Sequence, residues 1–339
     1  MTRRLAVERK HFKVGTFNLY NLALPEEQYY NRKYTKEQFD RKVKWIANQL
    51  NKMDADIVGF QELFHLPALQ KALSLSHQYD GASIRMGERN GRGPAVALVS
   101  RFEAIDYEVY VDFPEAAILE FEGTQIPITQ FSRPVLQAKL HIRDDLILNL
   151  FVVHLKSKRP KIKEDVDPHD PRERAMGHAR SLMIRAAETT ALRHILLEAL
   201  QDRNDPVIVM GDFNDDGTAV TSTILYGSEP WRNLKREQKA RLWDVHLYNV
   251  KEIQARQSYR DVYYTHLHNG HYDSLDHVLV SQEFVRQNPQ RLGYVEYVKV
   301  FNDHLVDDTL SDDRVPPWES DHGQVVTTIQ LEKGIPGVW

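Results

Sequence analysis

Cysteine is absent from this chain of 339 residues. That excludes disulfides, thiolate nucleophiles and cysteine-ligated zinc or iron. An excess of one charge is lacking too: 44 Lys and Arg against 48 Asp and Glu leave a formal net charge of -4. No global basic field exists to hold nucleic acid, so any attraction for phosphate must be local. No stretch approaches the ~18 apolar residues of a membrane span. The basic, polar segment from Met1 to Lys13 has no apolar run of signal-peptide length. The expected location is the cytoplasm, although a leader removed beforehand would leave no trace. Gly87 to Gly93 lacks the Walker lysine and the Rossmann spacing, so no glycine-rich nucleotide loop is present. Internal repeats and low-complexity tracts are missing as well.

What is there is ordinary globular material, 42% apolar and 27% charged, with ample substance for a core. The length admits two domains, but large sheet-based enzymes often form one, and a single domain over residues 1–339 is the expectation. The informative pattern is a series of short apolar strands that end in polar residues. Pro206 to Met210 reads as a buried strand, and beyond Gly211 it presents Asp212 and Asn214. Alternate residues of an extended chain point the same way, so both side chains can aim into one pocket. Phe12 to Leu19 carries Asn18; Asp56 to Phe60 leads to Glu62; Leu146 to Val153 leads to His154. Leu275 to Ser281 carries Asp276 near its start, where a buried carboxylate would be costly without a cationic or histidine partner. Val325 to Ile329 follows Ser320-Asp321-His322.

Between the strands, Thr35 with Gln38 forms a capping-box pattern ahead of Phe39, Val43, Ile46 and Leu50, whose spacing predicts an amphipathic helix. Leu66 to Ser76 is expected to be a short helix. Arg172 to Leu200 is expected to be one long helix or two joined at Gly177. Ala95 to Ser100 is expected to pair in a hairpin with Glu103 to Val111, and Val135 to Ile142 with Leu146 to Val153. After His154 the chain is crowded with Lys156, Lys158, Arg159, Lys161 and Lys163. This is either a solvated loop or a phosphate-contacting loop over the site.

Strand ends along one edge of a sheet meet in space. Asn18, Glu62, His154, Asp212, Asn214, Asp276, Asp321 and His322 could therefore converge. Oxygen donors of this kind suit a hard divalent cation, magnesium or manganese, rather than zinc. Two histidines with nearby carboxylates suit activation of water and stabilisation of a transition-state oxyanion. Metal, base and amide donors together are what hydrolysis of a phosphate ester needs.

Thr16-Phe17-Asn18, Gln61-Glu62, Gly93 to Arg101, Val153-His154-Leu155-Lys156-Ser157-Lys158, Gly211-Asp212-Phe213-Asn214-Asp215, Leu275 to Leu279 and Ser320-Asp321-His322 together resemble the ordered motifs of the endonuclease/exonuclease/phosphatase family over nearly the whole chain. The resemblance implies a four-layer αββα sandwich, two mixed β-sheets packed face to face with helices outside. It implies Glu62 as principal metal ligand, helped by Asn18 and Asp321. Asp212 would orient or deprotonate the attacking water, and Asn214 would bind phosphate or metal. His322 would contact the scissile phosphate or act as base, with Asp276 holding its ring, and His154 would polarise a phosphate oxygen or serve the leaving group. Glu88 is the candidate partner for that second histidine. The His-Leu-Lys-Ser-Lys run resembles a bacterial branch that includes secreted nucleases, in which Lys156, Lys158 and Arg185 would bind phosphate. The chain departs from common family patterns at Ser274-Leu275, where relatives carry Arg-Ile, and at Gly323-Gln324, where a proline is usual.

The function expected from these features is metal-dependent phosphodiester hydrolysis by a monomer, acting on DNA or RNA. A phosphatase or phosphodiesterase for a nucleotide, phosphoinositide or similar metabolite is the second reading. A catalytically inert binding module is the third, and the complete set of ionisable groups argues against it.

Overall fold

The computed structural model describes residues 10–87, 93–201, 205–228, 233–258, 263–268, 270–307 and 315–332. In chain order the elements are β1 (His11–Leu22), α1 (Lys36–Met53), β2 (Ile57–Leu63), α2 (Leu66–Ser76), β3 (Ser83–Gly87), β4 (Ala95–Ser100) and β5 (Glu103–Asp112). A small hairpin of β6 (Glu120–Phe121) and β7 (Thr124–Gln125) precedes β8 (Gln130–Arg143), β9 (Leu146–His154), α3 (Pro171–Leu200) and β10 (Val207–Asp212). Next come α4 (Val220–Tyr226), α5 (Arg236–Val245), β11 (Tyr248–Asn249) and α6 (Val250–Gln257). The chain ends with β12 (His266–His268), β13 (His271–Asp273), β14 (Asp276–Val280), β15 (Gly293–Phe301) and β16 (Gln324–Leu331).

Two sheets of six strands result, in the orders β15-β16-β1-β2-β4-β3 and β11-β14-β10-β9-β8-β5. Side chains that alternate along each strand divide the apolar residues into three separate cores. Ile208 and Met210 of β10 join Val14, Ile57, Leu98, Leu150 and Val325 between the sheets. Val207 and Val209 of the same strand face the other way, against Ala191, Leu192 and Ile195 of α3. On the outside of the first sheet, Phe17, Val58 and Phe60 meet Val43, Ile46 and Leu50 of α1 and Leu69 of α2. Three cores between four layers are the αββα sandwich. Strands buried on both faces explain why β4 and β10 read as unbroken apolar runs rather than alternating ones.

The cap at Thr35 is as the sequence predicts. Thr35 Oγ1 accepts from Gln38 N at 3.2 Å while Thr35 N donates to Gln38 Oε1 at 3.1 Å. Helix α3 runs unbroken through Gly177. The glycine is there for the neighbouring loop: a Cβ at 177 would lie 3.0 Å from Pro160 and Ile162 side chains, and Lys161 N donates to the Gly177 carbonyl at 3.0 Å. One pairing differs from expectation. Strand β4 pairs with β2 and β3, whereas β5 pairs with β8 in the other sheet. The short link at Arg101 and Phe102 therefore crosses between sheets rather than turning a hairpin. Arg101 is anchored at that crossing by ion pairs to Asp54 and Asp56, and Phe102 is drawn into the core between the sheets.

Candidate active site

The second sheet places three polar residues side by side. Parallel pairing sets Asp212 opposite His154, and antiparallel pairing sets Asp212 opposite Asp276. Neighbouring strands lie about 4.8 Å apart, so β9, β10 and β14 present these side chains in one row. Gly211 makes the row possible. It adopts φ +147°, and a Cβ there would lie 2.0 Å from the Val153 carbonyl oxygen, so no other residue fits against β9. Asn214 follows with φ +56°. Its backbone N donates to Asp212 Oδ1 at 2.9 Å, and its Nδ2 to the Leu155 carbonyl at 3.0 Å.

The first sheet supplies the facing half. Asn18 on β1 pairs in register with Gln61 on β2, which puts Glu62 at the same edge. Both strands are irregular beyond this point: Tyr20, Asn21 and Glu62 take φ of 49°, 61° and 59°, conformations that L-residues seldom adopt. Strand β16 lies on the other side of β1, and the segment before it delivers Asp321 and His322. Ser320 fixes this segment. Its Oγ donates to the Asn18 carbonyl at 2.7 Å and accepts from His322 N at 3.0 Å.

The two halves meet at short range. Asn18 Nδ2 donates to Asp212 Oδ2 at 3.2 Å. His154 Nε2 lies 3.4 Å and His322 Nε2 3.9 Å from the same oxygen. His322 Nδ1 is 2.7 Å from Asp276 Oδ2, which is the partner a buried carboxylate at that position requires. Two Thr265 contacts steady Asp276: its Oγ1 accepts from Leu275 N at 3.0 Å and Asp276 N at 3.1 Å.

Burial separates the protonation states of these groups. Asp212 is pushed up to about 7, chiefly by burial, with the Asp276 and Glu62 charges adding and His322 opposing. Burial also works against a charged His322, but Asp276 and Asp212 outweigh it and hold the imidazole well above 6.5. His154, buried and facing the Arg133 charge, falls well below 6.5. The site thus combines a charged imidazole, a neutral one, and a carboxylate poised near neutrality.

The oxygen set fits a hard divalent cation. Glu62 is raised by its recessed position and then by the Asp321 charge, a repulsion that a cation between them would remove. Asp321 Oδ1 is buried with no hydrogen-bond partner. His266 also reaches this edge. Its ring centroid is 4.9 Å from that of His322, and ligating atoms of His266, Asp321 and His322 lie within 4.8 Å of one another.

The phosphate-binding candidates are placed differently from one another. Lys158 lies 3.6 Å from Asp215 Oδ1, and Arg185 is buried with Nε 2.6 Å from Asp215 Oδ2 and Nη1 3.0 Å from the Lys156 carbonyl. Lys156 Nζ points back along its own loop to Ser157 O at 3.2 Å. The loop itself is pinned to α3 by Ser181 Oγ to Arg159 O at 2.7 Å and Arg180 Nη1 to Lys161 O at 2.9 Å. Glu88 lies outside the described residues.

Three residues escaped the sequence reading. Arg133 donates to the Leu155 carbonyl at 3.2 Å, and its charge acts on Glu62 and His154. Its signal was weak: an arginine beside Pro134, inside a strand pattern. Lys42 is buried within reach of the Glu62 and Asp321 charges, with 1% of its surface exposed. It is pushed down to about 7 by burial, against the pull of Asp321 and Glu62. The period of α1 does reveal it, because position 42 falls on the apolar face between Phe39 and Ile46. His266 sits in a short polar hairpin and had no signal at all.

The Endonuclease/Exonuclease/phosphatase family model matches residues 15–322. The chain belongs to this family. Its members are phosphoesterases that generally depend on a divalent metal, and this chain is an enzyme of that type. No curated protein matches it by sequence. Among solved structures, the family protein from Bacteroides vulgatus aligns with a TM-score of 0.56 at 14% identity, covering 96% of this chain and 100% of the other. The human Nocturnin catalytic domain with bound sulfate aligns at 0.52 and 17%, covering 96% of each chain. The Bacteroides thetaiotaomicron mannosyl-6-phosphatase aligns at 0.52 and 14%, covering 94% and 99%. At such identities these likenesses establish the shared fold of the family. No helix among the described residues is long and apolar enough to cross a membrane.

Proposed function

We propose that the protein is a phosphodiesterase that uses magnesium or manganese to hydrolyse nucleic acid or a nucleotide ester by in-line attack of water. The single observation that carries this reading is the meeting of Asn18, His154 and His322 on one oxygen of Asp212. Glu62 and Asp321, with Asn18 beside them, would hold the cation, which when bound would supply positive charge against the phosphate. Asp212, raised towards neutrality by burial, orients the water and takes its proton as the oxygen attacks phosphorus and the ester bond breaks. His322, kept cationic by Asp276, offsets the negative charge that builds on the phosphoryl oxygens. His154, neutral where it lies, offers a hydrogen bond to the same oxygens. Asn214 shapes this edge by tying the Asp212 carboxylate to the Leu155 carbonyl.

For phosphate recognition we assign Arg133 the direct role, and Lys156, whose Nζ turns back to Ser157 O, the role of shaping the loop. Arg185 and Lys158 are engaged by Asp215 and act by holding the loop. A small phosphate ester is the second reading, favoured by the net charge of -4, which gives a polymer no general attraction. A metal-supplemented screen of DNA, RNA, nucleotides and inositol phosphates, with His322→Ala as control, tests both. Cleavage of a polynucleotide should fall steeply between low and moderate salt, and a small ester should show little dependence. Turnover unaffected by His322→Ala would overturn the site itself.

A further inference from the structure

The segment between β1 and α1 carries three tyrosines with different fates. Tyr29 and Tyr34 are buried and stacked, with ring centroids 4.6 Å apart and an interplanar angle of 19°. Tyr30 is turned outward, 57% exposed. It occupies the first central position of a tight turn closed by Tyr29 N to Arg32 O at 2.9 Å and Arg32 N to Tyr29 O at 3.0 Å. Its φ is +49°, a conformation that glycine takes freely and that costs an aromatic residue about 1–3 kcal/mol. The backbone of this turn by itself would favour glycine there.

The location gives the reason. Phe64, just beyond Glu62, braces the Tyr30 ring edge-on at 5.3 Å. The Arg133 guanidinium acts on the Tyr30 hydroxyl, and the Glu62 and Arg159 charges also reach it. An exposed aromatic ring, braced by the residue two beyond Glu62, therefore stands at the rim of the candidate site with Arg133 beside its hydroxyl.

We propose that Tyr30, braced by Phe64 and flanked by Arg133, is a stacking platform for the unpaired nucleobase attached to the scissile phosphate. The substrate is then a single-stranded nucleic acid or a nucleotide ester, because a base inside a duplex has no free face to offer. This rests on the phosphodiesterase reading above and narrows it.

The test measures binding of nucleoside 5′-monophosphates and of deoxyribose 5-phosphate to wild type, Tyr30→Ala, Tyr30→Phe and Tyr30→Gly with magnesium present, alongside turnover of a generic aryl phosphodiester. Wild type should favour the nucleotides by about tenfold, in line with base–aromatic stacking. Tyr30→Phe should keep that preference, and Tyr30→Ala and Tyr30→Gly should lose it. Tyr30→Gly should show no fall in melting temperature, since it relieves the turn, whereas a merely structural tyrosine would leave a less stable protein. Equal wild-type affinity for nucleotide and sugar phosphate, or a nucleotide preference that survives Tyr30→Ala, would overturn the platform while leaving the hydrolase intact. Absence of any phosphodiester turnover would instead count against the hydrolase reading.

Discussion

The two sheets have the same number of strands and contribute different chemistry. The first brings Asn18, Glu62 and Asp321, an oxygen-rich edge set on irregular backbone, with left-handed residues at Tyr20, Asn21 and Glu62. The second brings His154, Asp212 and Asp276 in one regular row across three strands. Oxygen donors for a cation need approach from several directions, which bent strand ends provide. Ionisable groups that shift one another's protonation need fixed distances between them, which a regular ladder provides. Asn18 to Asp212, and His322 to both aspartates, are the bonds that join the halves.

The largest effect should come from the first half. Glu62→Gln should abolish turnover and weaken magnesium binding by calorimetry, and chelation should silence wild type until magnesium or manganese is returned. Activity that survives exhaustive chelation would break the division. Next come Asp212→Asn and His322→Ala. Each should lower kcat by about 10²–10⁴-fold while magnesium binding changes far less than in Glu62→Gln. If all three variants lost metal and turnover together, the halves would be one unit.

Asp276→Asn sharpens the second half through pH. The folded value of His322 lies well above 6.5, so its pairing stabilises the fold fully below pH 6.5 and fades as pH climbs through the raised value. The variant should move the His322 resonance titration downward by NMR and flatten the alkaline decline of stability. An unchanged titration would remove Asp276 from the role of ring partner. The smallest effect is expected at Lys42. Lys42→Met removes a buried cation within reach of Glu62 and Asp321, so magnesium affinity should rise by a few-fold. A fall would mean that the lysine holds the carboxylates in place more than it competes with the metal.

Much of this was legible in the sequence, for a physical reason. Strand ends are local features, and a run such as Val207 to Met210 followed by Gly211 and Asp212 announces its own edge. The cost of burying Asp276 alone pointed to a histidine or cation partner before any distance was known. What stayed hidden was relational. Nothing near Glu103 says which sheet β5 joins, because the choice depends on Arg101 and Phe102 finding partners from distant strands. Arg133 and His266 act across the fold on residues with which they share no sequence pattern. The same holds for the basic residues after His154: the sequence shows Arg185 as a cation, but only the fold shows Asp215 pairing with it.

Ser320 links a carbonyl on the first strand to the segment before the last, a separation of 302 residues. His322 cannot reach Asp276 until that hydroxyl is in place and β16 has slotted between β1 and β15. A chain cut short of its final strand would keep Asp212, His154 and Asp276 yet lack the strand that seats His322 beside them. Synthesis from the amino end thus completes the Asp276–His322 pair only after residue 322 has emerged.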